Sequence, residues 1–100
     1  PKSGYAANSE AKVAAVAVYA SLTGKSMIEP SWVNTCYSIV AKDEAISVAA
    51  VYKYEGDKIV SVAGAGGLTP GGEGFNAEMR KREVQYAYSW FNNITADIFS

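Results

Sequence analysis

The sequence predicts an α+β domain arranged as helix, three-stranded antiparallel meander, helix (α-β-β-β-α). Three observations carry this reading. An alanine-rich run over residues 8–22 has a capping residue before it and a glycine after it. Residues 32–40 and 45–54 alternate in the two-residue period of a pleated strand. Val84, Ala87, Tyr88 and Phe91 recur at the i, i+3, i+4, i+7 spacing of one helix face.

Residues 1–7 show no periodicity and contain Gly4, so they are expected to form an N-terminal arm. Asn8 or Ser9 is placed to cap the first helix, because a short polar side chain can accept from the first free amides. Thr23-Gly24 ends it, since glycine tolerates the left-handed conformation that closes a helix. Between these ends Val13, Ala14, Ala15, Val16, Ala17 and Val18 leave no polar stripe, so this helix has a second apolar face to offer. Pro30 lacks an amide hydrogen and holds Glu29 extended, which marks a connection.

Strand one follows over residues 32–40, with Val33, Thr35, Tyr37 and Ile39 alternating against Trp32, Asn34, Cys36 and Ser38. After Lys42-Asp43-Glu44, strand two places Ile46, Val48, Ala50, Tyr52 and Tyr54 on one face. Glu55-Gly56-Asp57-Lys58 reads as a hairpin turn in which glycine takes the positive φ that suits strand twist, and residues 59–63 form strand three. Residues 64–74 hold six of the nine glycines and Pro70, and are expected to be a mobile loop. Asn76 caps the last helix, along which Arg82, Tyr86 and Trp90 form an exposed line, with Glu78 and Arg82 paired four residues apart. There is room for one extra edge strand, from Tyr5 or from the C-terminal tail.

Composition narrows the function. One hundred residues fit a single domain spanning 1–100. The 49% apolar content still leaves 33 residues after the sixteen alanines are removed, enough for one small core and incompatible with disorder. Apolar runs fall short of the roughly 18 residues that cross a bilayer, so a soluble chain without a membrane partner is expected. A net charge of -1 removes the usual electrostatic case for nucleic acid. With no histidine and Cys36 as the single cysteine, an intrachain disulfide and a thiolate-rich metal site are impossible. The lone thiol favours a reducing compartment; a secreted chain with an interchain disulfide has the same count. No leader segment is visible at Pro1, although a mature chain would have lost one.

Motif chemistry is sparse. Gly24-Lys25-Ser26 has the ending of a phosphate-binding loop, but a helix precedes it where a strand should. Gly64, Gly66, Gly67, Gly71 and Gly72 lie between a strand and a helix, the order in which backbone amides can cradle an anion. Glu73 and Glu78 oppose that role. Asn93-Ile94-Thr95 is an acceptor sequon expected just after the last helix. Cys36 has no histidine to take its proton, and Asp43 and Glu44 lie in a turn open to water, so no catalytic residue is assigned.

The order of elements over residues 8–92 resembles that of double-stranded-RNA-binding domains, which also carry lysines near the start of their last helix. Arg80-Lys81-Arg82 occupies that place. The family's basic Ser-Lys-Lys-x-Ala-Lys signature is absent, since the matching stretch reads Gly74-Phe75-Asn76-Ala77-Glu78-Met79. The leading expectation is therefore a non-catalytic interaction module or small subunit of an oligomeric assembly, without a cofactor. Its contacts would run through Val16 and Val18 and through Arg82, Tyr86 and Trp90. A ligand- or anion-binding domain using the glycine loop is the second reading, and an RNA-binding-like domain the third.

Overall fold

The computed structural model describes residues 1–71 and 77–100. Its elements run α1 (Gly4–Thr23), β1 (Ser31–Ala41), β2 (Glu44–Glu55), β3 (Lys58–Ser61), β4 (Gly67–Leu68) and α2 (Ala77–Phe99). The α-β-β-β-α layout expected from the sequence is present, with a short fourth strand added. The sheet order is β1-β2-β3, and β4 also pairs with β2.

Helix α1 starts at Gly4, so the segment expected to be an arm over residues 1–7 is mostly the helix's first turn. Its cap is Ser3, not Asn8 or Ser9. The Ser3 hydroxyl accepts from the Ala6 amide at 3.1 Å and donates to Asn34 Oδ1 of β1 at 2.5 Å. Ser9 instead accepts from the Val33 amide at 3.1 Å, a second tie between α1 and β1. Asn34 is buried, and the Ser3 hydroxyl gives its oxygen a partner. At the other end Gly24 is left-handed (φ 67°), and its amide donates to the Ala20 carbonyl as the sequence leads one to expect.

The β2–β3 hairpin pairs Tyr52 with Ser61 and Glu55 with Lys58. Gly56 and Asp57 both have φ near +60°, the primed turn that follows strand twist. Beyond β3 the chain departs from the expected loop. Continued register would set Ser47 opposite Gly66, yet Ser47 bonds to Thr69, three residues later. The Thr69 amide donates to the Ser47 carbonyl at 3.0 Å, and the Ser47 amide donates to the Thr69 hydroxyl at 2.8 Å. The extra strand thus comes from Gly67–Leu68; Tyr5 lies in α1 and the C-terminal tail lies in α2. Gly72 and Gly74 of that segment, and the expected cap Asn76, lie outside the described residues.

Contacts gather into two units. The first comprises Pro1–Thr35 and Ala49–Gly66, the second Cys36–Val48 and Gly67–Ser100. In the first unit α1 buries Ala6 and Ala20, which fall on one stripe of the helix. The opposite side carries Ala11, Ala15, Val18 and Leu22, all exposed. In the second unit Ala45 of β2 and Ala87 of α2 are the buried apolar residues. Among the described residues no large side chain is fully buried. Small residues face inward along the first half of β2, while Ile46 and Val48 are each 43% exposed.

Helix α2 runs to Phe99, well past the expected end, so Asn93-Ile94-Thr95 lies inside the helix and not after it. The Thr95 hydroxyl donates to the Phe91 carbonyl at 2.8 Å, a bond within the helix.

Candidate functional site

The second unit holds an open groove with the shape of a binding site. Tyr37 and Ile39, two apart on β1, point to the same side of the strand. They meet Ala87, Tyr88, Trp90 and Phe91 of α2 around an open groove of about 300 Å³. Rings of Tyr37 and Trp90 stand 6.1 Å apart at 37°, within the tilted range in which aromatic pairs attract. Ala87, the buried small residue at the groove's floor, leaves room for the larger side chains around it. Tyr88 and Phe91 remain 59% and 54% exposed, so the groove presents aromatic surface to whatever enters it.

None of the six lining residues is charged. An ion pair without a local sequence signature, Arg80 Nε with Glu44 Oε1 at 3.0 Å, partly buried, joins the start of α2 to the start of β2. It ties the first turns of α2 to β2, the neighbour of the strand that carries Tyr37 and Ile39. Among the described residues no cluster of histidine, cysteine, aspartate or glutamate could hold a metal ion. No helix among them is long and apolar enough to cross a membrane.

The residues singled out from the sequence are distributed as follows. Arg82 and Tyr86 are exposed on α2, and Arg82 lies 3.9 Å from Glu78 as the spacing suggests. Trp90 leaves their line; it is half-buried against Tyr37 as part of the groove wall. Tyr88 and Phe91, placed by their spacing on one helix face with Ala87, are groove residues half open to solvent. Val16 and Val18 are exposed on α1, in the other unit. Of the glycines, Gly66 packs against β2: a Cβ there would run into the Ala49 carbonyl and lie 3.0 Å from the Ala50 Cα. Gly64 is left-handed (φ +77°), Gly67 belongs to β4, and Gly71 faces open space. Gly72 lies outside the described residues. Of these glycines, Gly66 serves a close approach of the chain to β2.

A model of the family described as flavocytochrome c sulphide dehydrogenase, flavin-binding, matches residues 28–99. The chain belongs to this family. Membership corrects the functional expectation directly. A flavin-binding part of a dehydrogenase is not a non-catalytic interaction module. The expectation of no enzymatic role is overturned on the same ground. The sequence offered no signal for it, because the glycine fingerprint that marks dinucleotide-phosphate binding is absent from this stretch.

The flavocytochrome family description sets a test for the groove. A flavin has a flat tricyclic ring and a polar, phosphate-bearing tail. The lining of Tyr37, Trp90, Tyr88 and Phe91 is chemically suited to the ring, by stacking and apolar contact. It has no cation for the tail, and a groove of about 300 Å³ is at the lower limit of ligand pockets. The fit is therefore to the ring alone.

Proposed function

We propose that this chain is the flavin-binding portion of a sulphide-oxidising flavoprotein subunit of the flavocytochrome c type, and that its β1–α2 groove forms an apolar wall of the flavin-ring site. The observation that carries this reading is the aromatic lining, supplied by β1 and α2, both of which lie within the matched residues 28–99. When bound, a flavin would supply the redox chemistry of sulphide oxidation.

The chain's own residues orient and shield. Trp90, set against Tyr37, offers a ring face of defined tilt. Ile39 and Phe91 flank it and displace water, which lowers the local dielectric and strengthens every remaining electrostatic contact to the ring. Arg80 and Glu44 act at a distance from the groove by holding the first turns of α2 to β2. Contacts with the remainder of a multi-subunit flavocytochrome fall to surfaces outside the groove: Val16 and Val18 on α1, and Arg82 and Tyr86 on α2.

Riboflavin titrated into the chain should lose fluorescence saturably, because stacking on tryptophan and tyrosine quenches the flavin. Trp90→Ala should abolish the saturable component. Trp32→Phe, at a β1 position outside the groove, should leave it intact. Equal quenching by the parent and by Trp90→Ala would refute the groove as the ring site.

A further inference from the structure

The geometry points to recognition of one end of the flavin ring: the groove takes the dimethylbenzenoid edge of the isoalloxazine, with the pyrimidine edge and the tail directed away from it. This inference rests on the flavin reading above and adds which part of the ligand the chain reads.

The two ends of the ring differ in what burial costs them. The pyrimidine edge carries two carbonyls, a ring N–H and ring nitrogens, each of which must keep a hydrogen bond when it leaves water. The benzenoid edge carries only C–H groups and two methyls, whose burial is favourable. Four of the lining residues, Ile39, Ala87, Trp90 and Phe91, meet the groove through carbon-rich surface. Backbone donors and acceptors of the α2 wall are engaged within the helix, so that wall offers a ligand side-chain surface only. Only the tips of Tyr37, Tyr88 and Trp90 are polar, and Tyr88 is more than half exposed. A pyrimidine edge placed here would trade several water contacts for few protein ones. The benzenoid edge loses nothing, and its methyls fill the space that Ala87 leaves.

No lining residue is a cation. The groove should therefore be indifferent to the number of phosphates on the flavin.

The test compares riboflavin, FMN, FAD and 7,8-didemethylriboflavin by quenching of flavin fluorescence with the 100-residue chain. Riboflavin, FMN and FAD should bind within about threefold of one another and with little salt dependence. The didemethyl analogue should bind about tenfold more weakly, the scale expected for two buried methyls. Ile39→Ser, at a position already half exposed, should weaken riboflavin binding while circular dichroism stays that of the parent. Two results would overturn the inference and leave the flavin reading standing: a didemethyl analogue that binds as well as riboflavin, or FMN and FAD binding more than tenfold tighter than riboflavin. Absence of saturable quenching by all four ligands would overturn both.

Discussion

At the scale of single residues, two substitutions separate packing from conformational freedom. Gly66 lies so close to β2 that an added methyl meets the Ala49 carbonyl and the Ala50 Cα, both backbone atoms that cannot rotate away. Gly66→Ala should cost about 1–3 kcal/mol in urea unfolding, the usual range for overpacking. Gly71→Ala, with nothing within 4 Å of the added carbon, should leave the midpoint unchanged and serves as the control. Ser3 is the second informative residue. Its hydroxyl both caps α1 and donates to the buried Asn34, so Ser3→Ala should cost at least the ~1 kcal/mol of an ordinary cap. A smaller loss by denaturant titration would mean that α1 needs no cap at Ser3. This residue was legible in principle, since serine is a preferred cap. What hid it was Gly4, whose glycine reads as loop chemistry although it is the first residue of the helix.

At the scale of elements, the strands and the primed hairpin turn followed from alternation and from Gly56, whereas the face of α2 did not. Rows of residues four apart on a helix do not run parallel to its axis; they drift about 40° per step. The row that starts at exposed Arg82 therefore reaches, two steps later at Trp90, the margin of the stripe that buries Ala87. Arg82, Tyr86 and Trp90 are therefore not one line on the helix. That drift hid the groove, because Trp90 is the residue that brings the groove together. Strand β4 was missed for another reason: glycine content signals a loop only where no partner fixes the backbone, and here the Thr69 side chain supplies an acceptor for Ser47. The Arg80–Glu44 pair has no local sequence signature, since its partners are distant in the chain. With side chains 26% and 45% exposed, it should show a coupling of about 0.5–1 kcal/mol in an Arg80→Ala, Glu44→Ala double-mutant cycle. The coupling should shrink at 1 M salt. A coupling of zero would leave α2 positioned by the groove contacts alone.

At the scale of the whole molecule, the distribution of apolar surface decides how the chain behaves in isolation. The buried stripe of α1 is made of Ala6 and Ala20, and Val16 lies about 40° from it. Val18 and Leu22 lie on the far side with Ala11 and Ala15, at spacings of four, three and four, which is the pattern of a seam that packs against another helix. Val18 is 57% and Leu22 82% exposed. No acid or base interrupts that seam, and helix faces of this composition are normally covered. Helix α1 precedes the family-matched residues 28–99, so its seam is separate from the groove assigned to the flavin ring. The 10.6 kDa chain alone should then sediment above its monomer mass at micromolar concentration, with the excess growing as concentration rises. Val18→Glu, at an outward position, should return it to monomer mass without loss of helical signal, while Val16→Glu, beside the buried stripe, should also lower stability. Riboflavin quenching should be unchanged by Val18→Glu, because that residue lies in the unit without the groove. A parent chain that sediments as a monomer at every concentration would show that alanine spacing alone leaves this face tolerably wet.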